Sequence, residues 1–498
     1  MNGQNASLSP GSEPSLRSLL LVIMGAPFLT TFTGSMINVV LPVIRAEFGA
    51  SPATIGWVAT GYLLAYAIGV PIIGGASDRY GIRRLFALGL TGFAAGGIVC
   101  ALAPSLSVLI LGRTLQGAAG AAVPALATVA VARTLPSGQR GGALGLMASA
   151  VGIGSSVGPV VGGALGDWLG WRGLFAIPIT LALVLVPLAL RSLPEGRTAD
   201  ARRLDAVGAL LLALSAGFFL LGITQGQTTG FRAAYSWGSF LTAMLAAAAL
   251  AWRTGRVPDP FVPPTLFRNR GYVTALCIGP MGMFVNLSVL MLVPLLIVEV
   301  NGLPSSAAGV ALTPQAVAQA LVAPLAGRLS DRLGVRHPLL MGVTIMIVTV
   351  AGLSTWAGAS PAAIAILMAV LGTGFACVQS PASNAAANAL REEDVGTGMG
   401  LFSGSGFLMA AAGPAISGAL LAARQEAAAP AVHPFYGLHA AAFSDAFLAL
   451  LVPLAVAFVA VWLLPTESSG RTSERPTGEE ATPTASARRS AVDAGARG

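Results

Sequence analysis

Fourteen apolar runs of about 20 residues each take up most of this chain. They fall at about 18–42, 52–74, 85–104, 106–133, 143–166 and 171–190, then 206–224 and 237–253, then 272–297, 307–328, 338–358, 361–388, 397–421 and 443–464. Roughly 20 mostly apolar residues in a helix cross a bilayer. In lipid every backbone N–H and C=O must find its partner within the protein, and a helix does this alone. Only 10 % of the residues are charged, against about 25 % in soluble domains, and the mean hydropathy is +0.77. The runs therefore predict an all-α membrane protein with 14 transmembrane helices.

The arginines orient it. All 28 basic residues are arginine. If Asp78 and Asp331 face the cytoplasm, 23 arginines lie on that side. Four lie opposite (Arg45, Arg172, Arg232, Arg424), and Arg113 sits within a run. Cytoplasmic loops carry the excess of positive charge, so both termini are expected in the cytoplasm. A sequence pI of 10.2 suggests no nucleic-acid partner, because the arginines are scattered through short turns. All seven tryptophans lie near run ends, as interfacial anchors do.

One charged turn occurs twice. Gly74, Asp78, Arg79, Gly81 and Arg83 are answered, 253 residues later, by Gly327, Asp331, Arg332, Gly334 and Arg336. Gly158-Pro159 in the fifth run is answered by Gly413-Pro414 in the thirteenth, 255 residues later. Such a repeat predicts two equivalent halves related by an axis along the membrane normal. The expected divisions are a cytoplasmic tail at 1–17, a six-helix bundle at 18–190, two inserted helices at 206–253 and a second bundle at 272–464. A disordered cytoplasmic tail follows at 466–498. Pro258 to Pro264 stiffens the connector into the second bundle.

The duplicated turn resembles the loop signature of the major facilitator superfamily. That resemblance implies the major facilitator fold: two six-helix bundles, here plus two inserted helices. It also implies a gating role for both copies of the turn. Arg113, Gln116 and Gly117 resemble the family's fourth-helix motif, and Asn38 opens an Asn-Val-x-Leu-Pro phrase in the first helix. Arg113 and Gln116, with Asn38, are thereby candidates for coupling or substrate binding. Gly154, Gly158, Pro159, Gly162 and Gly163 resemble the fifth-helix motif that marks exporters. Wording such as Trp57-Val58-Ala-Thr60 and Asp259-Pro260-Phe261-Val262 is similar to the fourteen-helix drug/proton antiporters, nearest to their tetracycline-exporter branch.

The departures are chemical. Those antiporters carry a carboxylate just before the Asn-Val-x-Leu-Pro phrase, where this chain has Thr33-Gly34-Ser35. The tetracycline branch also has acids in helices 5 and 13, where this chain has Ser155 and Ala410. No Asp or Glu lies near the middle of any run, while Asp167, Glu299 and Asp445 lie near outer ends. A cation in low dielectric needs a counter-charge, so the expected cargo is neutral, zwitterionic or anionic. A carboxylate raised in pKa by burial is the usual proton carrier. Without one, coupling through the outer acids or Asp78, or transport down the cargo's own gradient, is open.

Arg113 lies about 12 Å below its outer helix end, and an intramembrane cation is a functional candidate. The repeat places Met368 at its equivalent. Asn286, Gln315, Gln319, Gln379 and Asn384 are candidates for lining a central cavity. Cys100, Cys277 and Cys377 all fall inside apolar runs, and the three histidines are peripheral, so neither metal nor cofactor is expected. No embedded acid–base or nucleophilic set points to an enzyme.

The reading is a bacterial plasma-membrane exporter, monomeric, that moves a small amphipathic compound such as a drug or antibiotic outward by alternating access against protons. The alternative is an uncoupled facilitator or a nutrient or metabolite uptake carrier of the same fold.

Overall fold

A computed structural model describes residues 16–50, 52–194, 205–230, 233–303, 305–427, 430–432 and 436–464. The expected tails at 1–17 and 466–498 fall outside these residues, apart from Leu16 and Arg17. All regular structure among the described residues is helical.

The first bundle comprises α1 (Leu16–Phe48), α2 (Pro52–Tyr80), α3 (Ile82–Ala101), α4 (Leu106–Gly120), α5 (Ala122–Thr134), α6 (Ser137–Leu174) and α7 (Ala176–Ser192). The inserted hairpin is α8 (Ala206–Thr229) and α9 (Ala234–Thr254), followed by the four-residue α10 (Thr265–Arg268). The second bundle comprises α11 (Arg270–Glu299), α12 (Ser305–Leu333), α13 (Arg336–Thr355), α14 (Pro361–Ala389), α15 (Val395–Ala427), α16 (Ala441–Ala449) and α17 (Leu451–Leu463). The pairs α4/α5 and α16/α17 each make one span.

Among the described residues, thirteen spans are long and apolar enough to cross a membrane. The fourteenth is a pair, Trp168–Leu174 with Ala176–Ser192, bent by 44°. Just upstream α6 breaks at Gly170, whose φ of 67° is natural only to glycine. The apolar run at 171–190 is therefore a bent span rather than a straight one.

Packing repeats between the bundles. In the first, α1 lies against α6, α2 against α4, and α3 against α4 and α7. In the second, α11 lies against α15, α12 against α14, and α13 against α14 and α17. Small residues allow this, since lipid gives no hydrophobic drive between helices and backbones must approach closely. A Cβ on Gly117 would meet the Tyr62 Cα at 2.9 Å, and one on Gly372, the equivalent residue, would meet the Gln315 Cα at 3.0 Å.

The hairpin is fastened at one end. Asp205 caps α8 by accepting from Gly208 N at 2.9 Å, pairs with Arg253 at 2.8 Å and accepts from Phe261 N at 3.4 Å. Burial alone would raise this carboxyl's pKa. The Arg253 guanidinium and the two backbone N–H groups outweigh burial and hold it below the usual value. Phe261 in turn lies where a Cβ on Gly75 of α2 would fall, 2.9 Å away. Higher up, Ile223 of α8 packs on Ala412 and Ala415 of α15, so the hairpin touches both bundles.

Candidate transport site

The bundles meet along two seams, α2 with α15 and α6 with α12. Both seams are built from small residues at four-residue steps. On α6 these are Gly141, Gly145 and Ser149; on α15 they are Gly396, Gly400 and Gly404, each 255 residues later. Gly145 backs on Pro324, where a Cβ would lie 2.8 Å from the proline Cα. Gly400 backs on Pro71, the equivalent proline, with 3.2 Å to its Cα. A Cβ on Gly74 would lie 2.7 Å from the Gly400 Cα, and one on Gly327 would collide with the Gly141 carbonyl. Ser149 Oγ donates to Ala320 O across the seam at 2.6 Å.

Asp331 bridges the α6–α12 seam. Its Oδ1 accepts from Gly141 N at 2.9 Å and its Oδ2 from Gly142 N at 2.8 Å. A carboxylate is thus set at the N-terminal end of α6, where the helix dipole favours an anion. Asn384 of α14 donates to Asp331 Oδ1 at 3.1 Å and to Ser330 Oγ at 2.9 Å. Ser380 Oγ donates to Gly141 O at 3.3 Å, and Arg140 donates to Asn388 Oδ1 at 3.1 Å.

The other turn residues divide. Gly81 and Gly334, at φ 81° and 77°, each begin the helix turn in a conformation that suits glycine. Arg83 Nε donates to Leu193 O at 2.6 Å and so ties α3 to the end of α7 inside its own bundle. Arg79 and Arg332 are exposed, and Arg336 lies over the Trp462 ring at 5.0 Å. Asp78 lies in the last turn of α2, but its side chain, like that of Asp167, falls outside the described atoms.

Beyond the seams, away from Asp331, a cavity of about 770 Å³ opens between the bundles. The Tyr66 and Phe407 rings meet edge to face at 4.9 Å across the two bundles and form part of its wall. Thr30, Thr31, Thr128, Ser155 and Ser156 line the first-bundle side; Asn286, Gln315, Gln319 and Gln379 line the second. No Asp, Glu, His or Arg is among the described lining residues. Toward the far end the lining becomes accessible, with Val160 69 % and Val310 72 % exposed.

Four of the five candidate lining amides are therefore in the wall. Asn384 is not; it sits five residues nearer the Asp331 end of α14 than Gln379 and bonds Ser330 and Asp331 instead. Asn38 is exposed and outside the cavity lining. Arg113 is also outside it. Only 1 % exposed, it donates to Gln116 Oε1 at 2.6 Å and to Val58 O at 3.3 Å, with its guanidinium 4.2 Å from the Tyr62 ring centroid. No carboxylate pairs with it among the described salt bridges.

The fifth-helix glycines pack inside the first bundle. A Cβ on Gly154 would meet Phe28 O at 2.9 Å, one on Gly158 Phe32 O at 2.8 Å, and one on Gly162 Met36 O at 2.6 Å, all on α1. Gly163 faces open space apart from Val39 at 3.9 Å, and Pro159 lines the cavity. Gly413, equivalent to Gly158, packs in the same way on Ser288 of α11, with 2.7 Å to Oγ. At the far end the acids are paired: Glu47 with Arg172 at 2.6 Å and with Trp171 Nε1, and Asp445 with Arg424. Glu299 accepts from Gln425 at 3.2 Å.

Two repeated bundles, seamed at one end around a central cavity, define a secondary transporter, and the chain belongs to the Major Facilitator Superfamily, whose sequence model matches residues 23–414 and 274–495. It is a multi-pass membrane transporter of small molecules, not an enzyme. It is 29 % identical over 407 residues to Multidrug resistance protein Stp of Mycobacterium tuberculosis, covering 81 % of this chain and 76 % of that one. It is 28 % identical over 365 residues to Riboflavin transporter RibZ of Clostridioides difficile, covering 73 % and 79 %. Its fold matches the crystal structure of the human organic anion transporter MFSD10 with a TM-score of 0.66 at 16 % identity, over 91 % of this chain and all of that one.

Proposed function

We propose that this transporter exports a small, uncharged, amphipathic compound from a bacterial cell by alternating access, as a monomer in the plasma membrane with both termini cytoplasmic. The observation that carries the reading is a cavity whose described lining residues carry no charge, sealed at the arginine-rich end and accessible at the other. The arginine excess makes the Asp331 end cytoplasmic, so this conformation faces outward. A volume of about 770 Å³ with aromatic and amide walls suits a drug-sized ligand with few polar groups. The multidrug-resistance relative and the fifth-helix motif support outward movement.

Driving export by proton influx is the first choice, on the likeness to drug/proton antiporters. A second reading, transport down the cargo's own gradient or uptake, is favoured by the lack of a carboxylate among the described residues of the cavity wall, and the riboflavin-transporter relative fits it.

The test is a resistance and efflux panel in a host stripped of its own pumps, comparing wild type with Arg113→Ala and Asp331→Asn. Export of at least one uncharged compound by wild type, lost in the Asp331 variant, supports the reading; resistance to lipophilic cations alone contradicts it. Counterflow in proteoliposomes with and without a pH gradient separates the two energetic readings. Acceleration by the gradient marks antiport, and indifference marks facilitation.

A further inference from the structure

We propose that the cavity selects its cargo by hydrogen bonds that the cargo donates, so that the substrate class is an uncharged compound bearing N–H or O–H groups on an aromatic or heteroaromatic frame. This rests on the reading of an uncharged, amphipathic cargo and narrows it.

The first-bundle wall sets the requirement. A hydroxyl has one proton to give and two lone pairs to receive. Along this wall the protons are already spent on helix carbonyls: Thr31 donates to Pro27 O at 2.9 Å, Thr128 to Ala125 O at 2.8 Å, Ser155 to Val151 O at 3.1 Å and Ser156 to Gly152 O at 3.0 Å. Their oxygens are left as acceptors.

The second-bundle wall adds to the bias. Gln315, 2 % exposed, gives its Nε2 to Asn286 Oδ1 at 2.6 Å, and its Oε1 has no described protein partner. The Oε1 of Gln379, on the neighbouring α14, is likewise buried without one. An unmatched buried acceptor is destabilising, and a donor on the cargo relieves it. A ligand rich only in acceptors meets lone pairs along the first-bundle wall and finds N–H donors on the amides of the second. An ammonium ion could donate, but no carboxylate is among the described wall residues to offset its desolvation. Tyr66, Phe375 and Phe407 offer ring faces and edges to a flat frame.

The full chain in lipid nanodiscs is titrated by equilibrium dialysis with matched neutral pairs that differ only in N–H against N–CH3, riboflavin and its N3-methyl derivative among them, and with tetraphenylphosphonium. Methylation is expected to weaken binding about tenfold or more, because a site built for a donor rejects the analogue that lacks it. The double variant Thr31→Val, Thr128→Val is expected to lose about tenfold for the N–H member alone. Its unchanged affinity for the methylated partner serves as the control for folding. Equal binding of the pairs, or discrimination that survives the double change, overturns the donor rule while leaving an uncharged cargo in place. Binding of tetraphenylphosphonium with no neutral compound bound overturns both.

Discussion

Asp331 of α12 accepts a hydrogen bond from the backbone N–H of Gly141, near the start of α6, at 2.9 Å. A side chain of one bundle thereby bonds the backbone of a helix of the other, one turn in from its start. Asn in place of Asp keeps one acceptor and removes the charge that the helix end favours. Loss of a charge-assisted bond of this kind costs about 1.5–3 kcal/mol, or roughly ten- to a hundredfold in the balance between closed and open. In an otherwise cysteine-free chain, a cysteine at Ser330 is expected to react correspondingly faster with an impermeant maleimide applied from the Asp331 side when Asp331→Asn is present. Unchanged labelling would mean the carboxylate does not hold the seam closed.

The backbone approach at the same seam makes a second prediction. Gly327→Ala sets a methyl group against the Gly141 carbonyl, which cannot yield without parting the helices. The seal should fail and export should fall by an order of magnitude or more, a cost of about 1–3 kcal/mol for overpacking, with expression retained. Gly163→Ala, which meets nothing closer than Val39 at 3.9 Å, should export like wild type.

Arg113 is buried with a backbone carbonyl, an amide oxygen and an aromatic ring, and its repeat partner is the buried Met368. A structural arginine and a functional one respond differently to Arg113→Met. Removing a buried cation with no ionic partner should leave thermal stability within about 1 kcal/mol or raise it. Export should nevertheless drop about tenfold or more if the cation serves coupling or substrate binding. A stable protein with full transport would strip Arg113 of that role.

The hairpin clamp predicts a pH dependence. Asp205 has a folded pKa below the ordinary carboxylate value, so its contribution is complete above that ordinary value and is lost as pH falls through the folded one. The thermal midpoints of wild type and Asp205→Asn should therefore differ by a constant amount from about pH 5 to 8 and converge only below about pH 4. A difference that changes near pH 6–7 would assign the clamp elsewhere.

The spans, the repeat and the charged turns were legible because length, hydropathy and spacing alone carry them. Orientation within a bundle was not. Gly154, Gly158 and Gly162 share the four-residue step of Gly141 and Gly145, yet the first set faces α1 in its own bundle and the second faces α12 across the seam. Spacing says that backbones approach, not which helix arrives. The seam stripe did leave a signal: Gly396, Gly400 and Gly404 repeat Gly141, Gly145 and Ser149 at a constant offset of 255, opposite Pro71 and Pro324. Gln379 and Asn384 show the same limit for polar groups. Five residues along α14 turn an amide from the cavity to Asp331, and sequence fixes the amide but not its azimuth.

Alternating access requires the two bundles to rock about the cavity. Spin labels at exposed Gln139 and Arg332 report the Asp331 end, and labels at exposed Val160 and Val310 report the other. Pulsed dipolar distances in nanodiscs, with and without a transported compound, should change reciprocally, the first pair separating as the second draws together. Two distances that stay fixed, or that lengthen and shorten in step, would contradict alternating access in this chain.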